Sequence, residues 1–226
     1  MKHIVALTGA GISAESGIST FRDAGGLWEG YNVMDVASIE GWHKNKDLVL
    51  DFYNQRRRAA KNAKPNAAHH ALKKLESKYK VSIVTQNVDN LHEQAGSNSI
   101  IHLHGELFKS RSTGHPELVY HMDDTELNIG DKCEKGYQLR PHIVWFGEDV
   151  PEMERAADIT ASADILLVIG TSLAVYPAAS LLWYVKKNTP VYYIDPGQTE
   201  FKFDHNLVHI KEKATVGMQI LTDNHL

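Results

Sequence analysis

An apolar run, Ile4-Val5-Ala6-Leu7-Thr8, passes directly into Gly9-Ala10-Gly11-Ile12-Ser13-Ala14-Glu15-Ser16-Gly17-Ile18, and this junction constrains the fold more than any other segment. A buried strand that turns on glycine into a helix is the opening unit of a parallel α/β sheet. Gly9 permits the tight turn, Gly11 lets backbone amides come close to a bound group, and the small Ala14 lets the helix pack on the sheet. Unpaired amides at a helix start attract an anion, so the junction reads as a cradle for the pyrophosphate of a dinucleotide. The continuation is unlike that of dehydrogenases. Their second strand ends about 20 residues on in an acid that holds the adenine-side ribose. Here the chain runs instead into Phe21-Arg22-Asp23-Ala24-Gly25-Gly26-Leu27-Trp28. An aromatic, a guanidinium and paired glycines beside a phosphate site read as a loop covering the cofactor, so hydride transfer is not the favoured chemistry.

Further apolar runs bounded by turn signals, at 81–85, 99–103, 142–146, 165–169 and 191–194, join residues 4–8 as predicted buried strands. Helical periodicity over 47–61, 66–78, 88–94, 152–162 and 178–187 falls between several of them. Strands alternating with helices predict an α/β fold with a Rossmann-like doubly wound parallel sheet. Two stretches break the alternation, the mainly helical 31–79 and the polar, turn-rich 109–139. Both are assigned to a small, mainly helical inserted lobe over the carboxyl edge of the sheet, where open α/β sheets bind ligands. The sheet part then takes residues 1–30, 80–108 and 140–226. At 226 residues and 42% apolar content, the chain suits one domain with such a lobe.

A formal charge of −4 without a long basic run argues against a nucleic-acid partner. Arg56-Arg57-Arg58 is the only notable basic cluster and reads as a solvated helix face. No apolar segment approaches the roughly 20 residues that span a bilayer. No signal-peptide pattern precedes the first strand, so a cytoplasmic location without membrane association is expected. The single cysteine, Cys133, excludes an intramolecular disulfide framework and fits a reducing compartment.

Three segments at predicted strand ends carry chemistry. Thr85-Gln86-Asn87-Val88-Asp89-Asn90 opens a short helix closed by Gly96. Asn87 or Asp89 alone reads as a helix cap, but so dense a run of amides and carboxylates exceeds what capping needs. His102-Leu103-His104-Gly105-Glu106 ends another strand, and a period of two puts His102 and His104 on one face. A lone histidine at a strand end is more often a satisfied core residue than a catalyst. Gly105 allows a ligand or another backbone to approach closely and so favours His104. A neutral imidazole near its normal pKa is suited to take a proton from a sugar hydroxyl. Gly170-Thr171-Ser172 closes the run at 165–169 and suits further contacts to phosphate or ribose, although a plain strand-to-helix turn has the same composition.

Gly9-Ala10-Gly11-Ile12-Ser13, Phe21-Arg22, Gln86-Asn87-Val88-Asp89, His104-Gly105, Arg140-Pro141-His142-Ile143-Val144-Trp145-Phe146-Gly147-Glu148 and Gly170-Thr171-Ser172 stand in the order and at the intervals of the sirtuins. Along nearly its whole length the chain resembles that family of NAD-dependent protein lysine deacylases. The resemblance implies a Rossmann domain joined to a small lobe, with NAD and an extended acyl-lysine peptide entering the cleft between them. It implies that the acyl oxygen attacks the anomeric carbon of the nicotinamide ribose as nicotinamide leaves, forming an alkylimidate linked to ADP-ribose. Free lysine and O-acyl-ADP-ribose are then released, and NAD is consumed. His104 would be the general base on the ribose hydroxyls. Gly9, Ala10, Gly11, Ile12, Ser13, Glu15 and Trp28, with Gly170, Thr171, Ser172 and Asp195, would bind NAD. Asn87 and Asp89 would hold the ribose and the nicotinamide amide, Gln86 would touch ribose, and Phe21 and Arg22 would shield the reacting carbon. Val144, Trp145, Phe146, Gly147 and Glu148 would form a wall that pairs with the peptide backbone by strand addition. A monomer is expected by the same resemblance.

Tyr53 and Arg56 are three apart and share one helical face. An arginine fork with a tyrosine hydroxyl is built to receive a carboxylate. The sirtuin branch that removes succinyl and malonyl groups carries a Tyr-x-x-Arg pair in this helix, which implies acidic acyl groups here, with acetyl groups also accepted.

Most sirtuins hold the small lobe with zinc on four cysteines, whereas this interval contains only Cys133, with Ser112, His115 and Gly136 near the places of its partners. Cys133, His115, His121 and Asp123 match no closed structural zinc pattern, so no bound metal is expected. Asp195 stands where the family usually has asparagine; it can accept from a ribose hydroxyl but cannot donate. Mono-ADP-ribosyl transfer and a non-catalytic NAD-responsive binding module are the competing readings. Tyr53 and Arg56 speak against the first and His104 against the second.

Overall fold

Successive residues of the apolar runs face opposite ways, and both faces of the sheet they form are covered. Ile4, Ala6, Ile165, Leu167 and Ile169 pack with Ala68, Leu72, Met218 and Leu221 on one side. Val5, Leu7, Leu166 and Val168 pack with Ala156, Leu181 and Leu182 on the other. Strands buried on both faces have no polar side, which is why these runs read as continuously apolar. This computed structural model describes residues 1–20, 30–173, 175–197 and 206–226, and residues 27–28 by their backbone alone.

The six-stranded sheet is parallel, in the order Leu207–Ile210, Val191–Ile194, Ile165–Ile169, His3–Thr8, Lys80–Thr85, Ile100–His102. The chain proceeds outward from His3–Thr8 to one edge, then returns beside it and proceeds to the other. The crevice at that reversal opens where Thr8 and Ile169 stand in register, the place where doubly wound sheets take ligands. Ala67–Leu75 and Ala214–Asn224 cover one face; Met153–Ala161 and the 3-10 helix Ala178–Tyr184 cover the other.

The lobe combines the long helix Lys46–Asn62 and the short helices Val33–Val36 and Ile39–Lys44 with a three-stranded antiparallel sheet. In that sheet Gly105–Ser112 lies between Val119–His121 and Leu139–Ile143. Its core joins Val36, Trp42, Leu50, Phe52 and Tyr53 to Leu107, Ile143 and Trp145. Arg57 is fully buried at the seam, donating from Nε to the Thr125 carbonyl at 2.8 Å and from its guanidinium to the Asn54 side chain. Asn54 in turn pairs with both backbone groups of Leu127, at 3.0 and 3.2 Å. One helix thereby clamps the far side of the lobe through charge-assisted bonds to carbonyls. Burial pushes the Arg57 guanidinium down to about 10, so it remains charged at neutral pH.

Several sequence expectations are corrected here. Arg56-Arg57-Arg58 is not a solvated face, since Arg56 and Arg57 are buried. The run at 142–146 adds no strand to the parallel sheet. Its first part belongs to the antiparallel strand Leu139–Ile143, because Ile143 and Trp145 fill the lobe core. The sixth parallel strand is Leu207–Ile210, an edge strand of only four residues interrupted by His209, and the helix Ala214–Asn224 that follows it stands outside the helices expected from sequence. Helix Ala67–Leu75, assigned by sequence to the lobe, packs on the sheet beside Ala214–Asn224 instead.

Candidate active site

The two glycine turns at the sheet reversal interlock. Gly9 donates to the Ile169 carbonyl at 3.0 Å and Gly11 to the Gly170 carbonyl at 2.8 Å. A Cβ on Gly11 would stand 2.6 Å from Gly170 Cα, and one on Gly170, where φ is +61°, 2.4 Å from the Ile12 nitrogen. Only glycine lets the turns meet this closely. The short helix Ala10–Ala14 starts without a side-chain cap, its Gly11 and Ile12 amides already given to the Gly170 and Gly9 carbonyls, and its positive end faces the crevice. A cleft of about 750 Å³ opens there, large enough for a dinucleotide-sized ligand.

Polar groups from neighbouring strand ends converge on it. Asn87 Nδ2 donates to the Gly9 carbonyl at 3.1 Å and to Ser13 Oγ at 3.2 Å, and Ser13 donates to Asp89 at 3.1 Å. Burial raises the Asp89 pKa against the opposing bonds from the Leu91 amide and Ser13. Gln86 Nε2 donates to Thr171 Oγ1 at 3.1 Å, tying the end of strand Lys80–Thr85 to the end of Ile165–Ile169.

His104 lines the cleft, and its Nδ1 lies 3.1 Å from the Gln86 carbonyl. A carbonyl can only accept, so Nδ1 carries the proton and Nε2 the lone pair, the tautomer that a base requires. Burial lowers the His104 pKa, with the Gln86 carbonyl opposing in part. His102 has a different task. Its Nδ1 meets the adjacent carbonyl of Asn87 at 2.9 Å and its Nε2 meets Glu93 at 2.7 Å. Burial pushes its pKa down, but the Glu93 carboxylate outweighs this and the net shift is upward. Both rings thus face the loop at 86–87, as a period of two required, and His104 is the one at the cleft.

Across the lobe side of the cleft stand Tyr53 and Arg56 from helix Lys46–Asn62, with Ala59 and Ala60. Tyr53 is fully buried and its oxygen accepts from Trp145 Nε1 at 2.9 Å. The segment Val144 to Glu148 forms a wall of the same cleft. Its own amides are largely used within the protein: Val144 donates to the His104 carbonyl, Phe146 to Ala37 and Glu148 to Trp145. Trp145 N donates to the Glu148 carboxylate at 2.8 Å. Pairing with a peptide would therefore fall to the Gly147 amide and the carbonyls. Glu148 also receives Arg140 at 2.7 Å and Arg111 at 3.1 Å; it anchors the wall.

Glu15, Asp195, Thr171 and Ser172 also line the cleft. Glu15 caps the helix Ala214–Asn224 through Thr215 N and Oγ1 at 3.0 and 2.9 Å, and Asp195 accepts from Gly197 N at 2.8 Å. The Ile12 side chain lies in the sheet core, not at the cleft. Phe21, Arg22 and the Trp28 side chain fall outside the described residues. Asn66 was missed by sequence reasoning. It holds the cradle from behind by donating to the Ile12 carbonyl at 2.7 Å and Ser16 Oγ at 3.0 Å. Its only sequence signal was that of a helix cap. Lys213 at the cleft wall carried no signal beyond its charge.

The donor set in the lobe does not suit zinc. Cys133 donates to Ser112 Oγ at 3.2 Å, and the same oxygen accepts from the amides of Gly114 and His115 at 3.3 and 3.1 Å. His115 turns to Glu117 and His121 to the Phe108 carbonyl. Among the described residues, the metal-ligating side chains that gather closely are Glu93, His102 and Glu106, outside this region.

Residues 9–177 match the model of the Sir2 family. A protein of Helicobacter pylori (strain J99) named NAD-dependent protein deacylase is 55% identical over 221 residues, 98% of this chain and 94% of that one. One of the same name from Bacteroides thetaiotaomicron is 50% identical over 226 residues, covering 98% and 97%. A solved Sir2 homologue in complex with NAD superposes with a TM-score of 0.88 at 40% identity, covering 98% of this chain and 88% of that one.

Proposed function

The chain belongs to the Sir2 family and is an NAD-dependent protein deacylase; from that premise we propose that it removes succinyl and malonyl groups, and acetyl groups as well, from lysine side chains of proteins. The observation that carries the acyl assignment is a buried phenol and a buried arginine from one helix lining the same cleft as His104. A guanidinium and a hydroxyl converge on a carboxylate with charge-assisted bonds that a methyl group cannot use.

The interlocked glycine turns, the uncapped helix start and the Asn87–Ser13–Asp89 chain fit NAD, and in this reading they hold its phosphates, ribose and nicotinamide amide. When bound, NAD supplies a ribose carbon activated by departure of nicotinamide, and it is consumed. His104 takes a proton at Nε2 from a ribose hydroxyl, with Nδ1 held by Gln86. Gln86, Gly170, Thr171 and Ser172 close the far side, and the wall at 144–148 lays the peptide along the cleft. The lobe holds no zinc in this reading, because Ser112, in one of the partner positions, is occupied by Cys133 and two amides. The single thiol accords with a cytoplasmic enzyme, which we take to be a monomer.

Mass spectrometry of one peptide bearing acetyl-, malonyl- or succinyl-lysine, incubated with NAD, tests the reading. His104→Ala should abolish turnover of all three. Tyr53→Phe and Arg56→Met should reduce removal of the acidic groups selectively, by roughly 30-fold or more for Arg56→Met. Equal losses on all three acyl groups for Arg56→Met would refute the pocket assignment.

A further inference from the structure

The hydrogen bond between Trp145 and Tyr53 has a fixed direction. Indole nitrogen only donates, so the Tyr53 oxygen accepts, at 2.9 Å. A hydroxyl has one proton to give. Among the described residues no acceptor stands within reach of the Tyr53 proton, although the residue is fully buried and lines the cleft. What receives that proton must therefore come from the contents of the cleft. Burial pushes the phenol up to about 12, against weaker opposing effects of Trp145 and Arg56, so it enters any reaction at neutral pH as a donor.

We propose that Trp145 is a positioning residue for acyl selectivity: by occupying a lone pair of Tyr53 with its indole N–H, it turns the phenolic proton into the cleft, where the carboxylate of an acidic acyl group accepts it beside Arg56. This rests on the acidic-acyl reading above. The indole is held for the task on every side. Arg140 Cζ lies 3.4 Å from its ring centroid, the Trp42 ring packs at 5.6 Å, and its backbone nitrogen is bound by Glu148 at 2.8 Å. Glu148 and Arg140 thereby act at one remove, fixing the donor that fixes the phenol. A tyrosine without the indole is free to turn its proton away from the substrate. An acetyl group, which offers no carboxylate, is indifferent to that choice.

The test is a double-mutant cycle on the purified full chain, with kcat and KM measured for succinyl- and acetyl-lysine forms of one peptide. Trp145→Phe should lower the succinyl-to-acetyl ratio of kcat/KM about tenfold, the size of one neutral hydrogen bond, mainly through the succinyl KM. In a Tyr53→Phe background the same change should lower the ratio no further. An unchanged ratio for Trp145→Phe, or a full further loss in the Tyr53→Phe background, overturns the proposal. Should the smaller ring fail to fold, a benzothienyl analogue at Trp145 keeps the shape and removes only the N–H, with the same expected and refuting outcomes. If the unaltered chain does not remove succinyl groups, or Tyr53→Phe and Arg56→Met leave the ratio intact, the parent reading itself falls. A failure confined to the Trp145 variants overturns this inference alone.

Discussion

A single carbonyl decides what His104 can do. With Nδ1 committed to Gln86, the ring offers one basic nitrogen, and burial lowers its pKa below the ordinary value of 6.5. A base works when unprotonated, so kcat/KM should hold level above neutrality and fall on acidification with an apparent pKa below 6.5. The measurement is acyl-peptide-dependent nicotinamide release between pH 5 and 8, and a midpoint above 7 would contradict the assignment of the base. Sequence favoured His104 over His102 through Gly105. That glycine proves to have φ of +81°, and a Cβ there would stand 2.1 Å from the His142 carbonyl. The close approach was thus legible, and of the two partners it allowed, ligand or backbone, the antiparallel strand is the one that comes close. Pairing of His102 with Glu93 could not be read, since the two are nine residues apart and meet only when the loop folds back.

Helices and strands were legible where burial was one-sided or complete, and obscure where composition was mixed. In Ala214–Asn224 the buried positions Ala214, Gly217, Met218 and Leu221 follow helical spacing, but Gly217 and the polar residues between them masked the pattern. Gly217 is there because a Cβ would stand 2.2 Å from the Ile194 side chain. The turn at Ser112 and Cys133 carries the element-scale prediction. If hydrogen bonds replace metal in the lobe, Ser112→Ala strands one thiol and two amides and should lower stability by about 1 to 3 kcal/mol in a urea melt. Chelator should leave the melt of the unaltered protein where it was, and metal analysis should return none. One equivalent of zinc per chain would sink the account.

Across the whole molecule, buried histidines set the response to acid. Burial lowers His69 to about 4 and His92 to about 3, and His3, His104 and His142 are lowered as well, whereas the Glu93 carboxylate outweighs burial at His102 and raises it. An unfolded chain takes protons on these rings near pH 6.5 that the folded one refuses. Their stabilising contribution is therefore fully present above 6.5 and is lost as pH falls toward the folded values. His102 acts in the opposite sense and offsets part of the loss. Denaturation midpoints should drop between pH 7 and pH 5, before most carboxylates titrate, and His92→Gln should flatten the drop. A midpoint constant over that range would refute the balance of signs. At this scale the cradle is made from the strand ends of the parallel sheet, whereas Tyr53 and Trp145 belong to the core of the lobe and Arg56 is buried on the same helix as Tyr53. A lineage with this layout can drift in which chemical decoration it strips from proteins by altering one helix and its neighbours. The apparatus that breaks down the cosubstrate need not change with it.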